Sequence, residues 1–184
     1  RLITAGHCVR DSGSPNSWSQ NGFAVGGGYR YTYGSGGDYG IITVDDSTFW
    51  ASRGWVYVRQ SAAVNGSPGT TENPQYPING ESQYSSTAST YLCHTGQTIG
   101  TRCGPKSGSN VTAGYPDATV SGLARFDAPV CRGDSGGPVY VQNAAYGVVS
   151  GGQTNATTPD CFTTTLFQGI GAIKSAYNLT LLHN

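Results

Sequence analysis

Apolar residues along this chain come in short runs, some of them alternating with polar ones: Gly22 to Val25, Tyr39 to Val44, Trp55 to Val58, Val111 to Tyr115, Pro138 to Val141 and Tyr146 to Ser150. Clusters of Gly, Ser, Asn and Pro separate them. Runs this short suit strands, whose successive side chains point to opposite faces, and the separating residues supply the backbone geometry of turns. The pattern predicts an all-β sandwich or barrel. One segment departs from it. In LFQGIGAIKSAY, Leu166, Ile170, Ile173 and Tyr177 recur at helical spacing after a Thr-rich stretch suited to capping, which predicts a single C-terminal helix packed on the sheet. The stretch from Asn65 to Ser89, with Pro68, Pro74 and Pro77, reads as a connection between two halves, residues 1–75 and 76–184.

Composition narrows the picture. A chain of 184 residues supports one domain, or two small barrels sharing a core. Lys and Arg total 10 and Asp and Glu total 10, so there is no basic field for nucleic acid and no polybasic membrane anchor. No apolar run approaches the roughly 18 residues of a spanning helix, and no charged segment followed by an apolar one opens the chain. Any export signal is expected to have been removed already. The low charge, the 28 glycines and the absence of Met point to a compact, polar, extracellular protein. Five cysteines leave at least one thiol without an intrachain partner in an oxidising compartment. Neither HExxH nor paired CxxC occurs, so the sequence implies no metal and no cofactor.

The chemistry sits in three segments. Gly133-Asp134-Ser135-Gly136-Gly137-Pro138 places a serine in a tight glycine-rich turn, where small neighbours let backbone N–H groups stand beside the hydroxyl. A serine hydroxyl is a weak nucleophile near neutral pH; it needs a base within hydrogen-bond reach, and the base needs an orienting carboxylate. Thr4-Ala5-Gly6-His7-Cys8 follows the apolar pair Leu2-Ile3 and offers His7 as the base at a strand end. Gly37-Asp38-Tyr39-Gly40 leads into Ile41-Ile42 and offers Asp38 at a strand entrance, where a carboxylate is partly buried and still aims at an imidazole.

Taken together, LITAGHC, GGDYGIITV, CRGDSGGPVY, GVVSGG and TTLFQGIGAIKSAYNLTL resemble the streptogrisin and α-lytic protease branch of the chymotrypsin family, in order and along nearly the whole chain. The resemblance implies a fold of two six-stranded antiparallel Greek-key barrels with a C-terminal helix. It also implies a first barrel lacking its initial strands in this chain, and a secreted serine endopeptidase that works through an acyl-enzyme. In that reading Ser135 attacks the scissile carbonyl, His7 takes and returns the proton, Asp38 orients His7, and the N–H groups of Gly133 and Ser135 bind the oxyanion. Ser150 hydrogen-bonds Asp38, and Ser150-Gly151-Gly152 pair with an extended polypeptide substrate. The partners it implies are that substrate, a pro-region that assists folding and is then removed, and protein inhibitors of proteases, on a monomeric enzyme.

Pro129, followed by Val130, stands where trypsin-like members carry an aspartate, and Val149 stands where glutamate-preferring relatives carry a histidine. Both argue against a charged side chain before the scissile bond. An apolar floor with walls at Gly151 and Gly152 suggests a large apolar one, with Arg132 at the pocket mouth. By resemblance Cys93 pairs with Cys103 and Cys131 with Cys161, leaving Cys8, whose usual partner lies on an upstream strand. His94 replaces a family arginine, which suggests a pair between His94 and Asp134. Asn65, Asn110, Asn155 and Asn178 open Asn-X-Ser/Thr triplets, which carry no meaning in most bacteria. Two other functions compete: a protease-like binding protein without turnover, against which the intact triad argues, and an esterase, whose usual GxSxG elbow is missing.

Overall fold

The structure, a computed structural model, describes residues 1–12, 18–60, 70–82, 91–153 and 160–183. Asn65 and Asn155, and residues 65–69 and 83–89 of the connection assigned to Asn65–Ser89, lie outside the described residues. The first half carries β1 (Leu2–Thr4), the short helix α1 (Gly6–Asp11), β2 (Trp18–Gln20), β3 (Phe23–Gly26), β4 (Gly28–Gly34), β5 (Gly37–Ile42), β6 (Trp55–Val58) and β7 (Asn73–Pro77). The second carries β8 (Gly80–Glu81), β9 (Tyr91–Gly96), β10 (Gly100–Tyr115), β11 (Ala118–Phe126), β12 (Val130–Cys131), β13 (Pro138–Val141), β14 (Ala144–Gln153), β15 (Cys161–Phe162), β16 (Thr164–Gly169) and α2 (Ile170–Tyr177). Each apolar run read from the sequence falls within, or largely within, one of these strands.

In the second half the strands follow the order β13-β9-β10-β11-β16-β14, and β13 also pairs with β14, so the circuit closes on itself. Inside it lie Leu92, Phe126, Val139, Val149 and Phe167, all essentially without solvent contact. Full burial of side chains this size stabilises by about 1.5–3 kcal/mol each. The first half is less complete. Its described strands form a three-stranded sheet in the order β1-β5-β4 and two separate pairs, β2-β3 and β6-β7, so a six-stranded first barrel is not formed among the described residues.

A second group of apolar residues fastens one half to the other. Tyr39 of β5 packs with Val148 of β14 and with Ile170 and Ile173 of α2. The helix is shorter than its periodicity suggests. Leu166 belongs to β16, opposite Gly151, and α2 starts only at Ile170. The reason lies in the burial of TTLFQG, which runs between β11 and β14 and is buried almost throughout; a strand buried on both faces shows no alternation to set it apart from the helix that follows. Asn178, in the left-handed conformation with φ of 50°, ends the helix.

Candidate active site

Two close approaches at glycines help bring the candidate residues together. The ideal Cβ position of Gly136 lies 2.1 Å from Thr4 Oγ1, and its φ is +81°, so only glycine lets the end of β1 settle against the turn that carries Ser135. His7 follows Thr4 by one turn of chain and sits in α1 rather than at a strand end as read from the sequence. Gly6 brings α1 onto β4, since a Cβ there would lie 1.9 Å from the Thr32 carbonyl oxygen. Asp38 is the second residue of β5 and is fully buried.

The Asp38 carboxylate accepts three hydrogen bonds. The backbone N–H of His7 donates to Oδ1 at 3.0 Å; the His7 ring meets Oδ2 through Nδ1 at 2.8 Å, and the Ser150 hydroxyl donates to Oδ2 at 2.6 Å. A buried carboxylate without such donors costs several kcal/mol, so these bonds are what keeps the charge in place. Asp38 in turn donates its own N–H to Gln168 Oε1 at 3.1 Å, and Tyr115 shares a 2.9 Å hydrogen bond with Ser150. Neither Gln168, though it lies within TTLFQGIGAIKSAYNLTL, nor Tyr115 is singled out as a site residue by the sequence. Both reach Asp38 or its partner from more than thirty positions away, a relation that only the folded chain creates.

Burial works to lower the pKa of His7, but the hydrogen bond it donates to Asp38, with Cys8 beside the ring and the charge of Asp38 adding to it, outweighs burial and pushes it up to about 10. The raised value has a consequence for stability. The pairing of imidazolium with carboxylate contributes fully below pH 6.5, the ordinary histidine value, and is lost as pH rises through the folded-state value near 10.

Ser135 is half-buried, and its Oγ donates to the Ser150 carbonyl at 3.4 Å, not to His7. Around it the backbone is fixed. Asp134, buried, accepts from the N–H groups of Thr98 at 2.8 Å and Ile99 at 3.2 Å on one oxygen and from Cys131 at 2.8 Å on the other. The N–H groups of Asp134, Gly136 and Gly137 bond the carbonyls of Cys131, Val149 and Asp134. Those of Gly133 and Ser135 take no backbone or side-chain acceptor among the described residues, and Gly133 holds a φ of +92°.

The expected pair between His94 and Asp134 is not formed. Three backbone donors occupy the carboxylate, while fully buried His94 meets the Pro129 carbonyl oxygen through Nε2 at 2.8 Å. Burial pulls the His94 pKa below its ordinary value, so the ring is neutral at neutral pH and brings no positive charge to Asp134. The disulfides Cys93–Cys103 and Cys131–Cys161 are present, and Cys8 is a free thiol.

The space behind the glycine wall differs from expectation. Pro129 and Val130 are buried, and Val149 is inside the closed circuit of strands. Arg132 is exposed and forms an ion pair with Asp160 at 3.3 Å. A Cβ on Gly152 would lie 2.4 Å from Cβ and Cγ of Phe162, and one on Gly151 would lie 2.8 Å from the Tyr115 hydroxyl. Phe162 and Tyr115 thus stand where side chains on Gly152 and Gly151 would otherwise lie. A cavity of about 720 Å³ lies elsewhere, lined by Leu2, Ile41, Trp55, Ile78 and Leu181; it reaches Gly136 but touches none of His7, Asp38 and Ser135.

A mostly β fold with a closed second circuit of strands, a C-terminal helix, and His, Asp and Ser gathered at the junction of two halves defines a chymotrypsin-like fold. A sequence model of the trypsin family matches residues 1–168. The chain belongs to the trypsin family, in its streptogrisin and α-lytic protease branch. It is 32% identical over 183 residues to streptogrisin-C of Streptomyces griseus, covering 98% of this chain and 35% of that protein. Against streptogrisin-A of the same organism it is 28% identical over 186 residues, covering 98% and 52%. The crystal structure of Thermobifida fusca protease A superposes with a TM-score of 0.73 at 29% identity, covering 99% of this chain and 84% of that one. The chain thus spans between about a third and a half of the length of the two streptogrisins.

Proposed function

We propose that the protein is a serine endopeptidase that hydrolyses polypeptides through an acyl-enzyme, with His7, Asp38 and Ser135 as its triad. The observation that carries this reading is the relay Ser150–Asp38–His7, with hydrogen bonds of 2.6 and 2.8 Å, built beside a serine in a turn with two uncommitted N–H groups. In the first step Ser135 Oγ forms a bond to the scissile carbonyl carbon while its proton passes to His7 Nε2. The C–N bond then breaks as that proton moves to the leaving amine, and water repeats the sequence to release the acid. Ser135 must exchange its long bond to the Ser150 carbonyl for one to His7, and such bonds commonly tighten only with substrate in place. The N–H groups of Gly133 and Ser135 receive the oxyanion, and Ser150, Gly151 and Gly152 pair with the peptide as an added strand.

The uncharged, buried Pro129 and Val130 support cleavage after an uncharged residue. Two disulfides support an exported, extracellular protein, since such bonds persist in oxidising compartments. No helix among the described residues is long and apolar enough to cross a membrane. A division at residue 75, with His7 and Asp38 before it and Ser135 after it, belongs to the same reading. So do a monomeric state, a pro-region and protein inhibitors as partners.

The test is covalent labelling. An aryl sulfonyl fluoride should give one adduct per chain, mapped by peptide mass spectrometry to Ser135, and should abolish cleavage of a short chromogenic peptide. Folded protein with no adduct and no cleavage would favour a binding protein on the protease fold. The pH dependence gives a second check. Catalysis needs His7 neutral, and its pKa is raised to about 10, so kcat/KM should keep rising with pH above neutrality. Cys8→Ser, which removes one of the groups raising that pKa, should move the midpoint down. A limb centred below pH 6.5 would contradict the geometry around His7.

A further inference from the structure

Two walls define the space that the side chain before the scissile bond must enter, if the endopeptidase reading holds, because this inference rests on it. One wall is the segment from Pro129 to Arg132 leading to Ser135; the other is Gly151-Gly152 of β14. Phe162 spans the gap between them. In β15 it pairs directly with Val130 of β12, and the Cys131–Cys161 disulfide one residue away fixes that pairing. On its other side its Cβ, Cγ and Cδ2 all lie within 2.5 Å of where a Gly152 side chain would begin. The residue is only partly buried and packs against the core that includes Val130 and Val149. Beyond Gly151 the way is closed by Tyr115, whose hydroxyl is tied to Ser150.

A glycine at 152 is ordinarily read as an opening for substrate. Here it has a different cause: the phenyl group of Phe162 already lies against the backbone, and no side chain fits between. We propose that Phe162 is the specificity-determining residue of this site. It fills the slot from within, so that the enzyme cleaves polypeptides after small uncharged residues such as Ala and excludes Phe, Tyr and Leu. A phenyl ring from the protein and one from the substrate cannot share the same space, since interiors pack as densely as organic crystals and insertion of extra atoms forces strain.

The experiment compares kcat/KM for two chromogenic tetrapeptides that differ only in their last residue, Ala or Phe, on the parent, Phe162→Leu and Phe162→Ala. The parent should prefer Ala. Phe162→Ala should raise the Phe-to-Ala ratio by about 10², the scale on which apolar pockets discriminate by size, with Phe162→Leu in between. A merely structural role would lower both rates together and leave the ratio alone. Sulfonyl fluoride titration counts intact sites in each variant, and Phe162→Leu, which keeps an apolar side chain on the core, serves if Phe162→Ala does not fold. A parent that prefers Phe, or a ratio unmoved in the variants, would overturn the proposal while leaving the endopeptidase reading standing. Folded, unlabelled parent that cleaves neither peptide removes that reading, and this proposal with it.

Discussion

In Ser135→Ala, kcat for peptide cleavage should fall by about 10⁶, the loss seen when the nucleophile of such a triad is removed, with substrate affinity nearly unchanged. The size follows from what the substitution takes away. No other hydroxyl stands in the turn between Gly133 and Pro138, and His7 remains tied to Asp38 at 2.8 Å with no nucleophile to deprotonate. What survives is the pair of N–H groups at Gly133 and residue 135, which belong to the backbone and still polarise a carbonyl; residual catalysis over water of about 10³–10⁴ is their expected share, together with binding. The fold should be unaffected. Ser135 contributes one long hydrogen bond of 3.4 Å, while the turn is held by the three donors on Asp134, so thermal melting should match the parent. Measured together, kcat, KM and the melting curve separate loss of chemistry from loss of structure. A decrease of tenfold or less would mean that Ser135 is not the nucleophile.

The parts of this site legible in the sequence are those that local backbone chemistry dictates. Gly136 and Gly137 beside Ser135 announce a turn that no other residue type can make, and the structure gives the reason in Thr4 Oγ1 and the Thr95 carbonyl, each about where a Cβ would need to be. The strands were legible because their runs are short and bounded by turn formers. What the sequence hid depends on contacts between distant segments. Gln168 and Tyr115 are ordinary strand residues until folding brings them to Asp38 and Ser150. His94 looked like a partner for Asp134 because it stands where relatives carry an arginine, yet the carboxylate's bonds all go to backbone N–H groups, which a reading of side chains overlooks. Phe162 was missed for the opposite reason. Glycines at 151 and 152 suggested an open wall, and only the cross-strand pair with Val130 puts Phe162 against Gly152. Leu166 was misassigned to the helix because a strand buried on both faces leaves no period to read.

Asp38→Asn should keep the fold and lower kcat by about 10⁴. The hydrogen bonds at Asp38 dictate how the amide must sit. The group facing Oδ1 is the backbone N–H of His7, which can only donate, so the amide oxygen has to stay there. The NH₂ then takes the place of Oδ2 and faces His7 Nδ1 and the Ser150 hydroxyl. To accept from it, Nδ1 must give up its proton, and the neutral ring carries its hydrogen on Nε2 instead. That tautomer cannot take a proton from Ser135, so the base is present, correctly placed and wrongly protonated. The same exchange removes the charge and the hydrogen bond that raise the His7 pKa and leaves the burial that lowers it, so the midpoint of the residual activity should shift to lower pH than in the parent. Stability carries the same signature with a definite sign. The parent loses the contribution of the ion pair as pH rises from 6.5 through about 10, and the variant, having no such pair, should show a flatter dependence across that interval. Denaturant unfolding at a series of pH values, run beside the rate profiles, checks both halves. Parent and variant profiles that superpose would mean that Asp38 neither holds the tautomer nor sets the charge of His7.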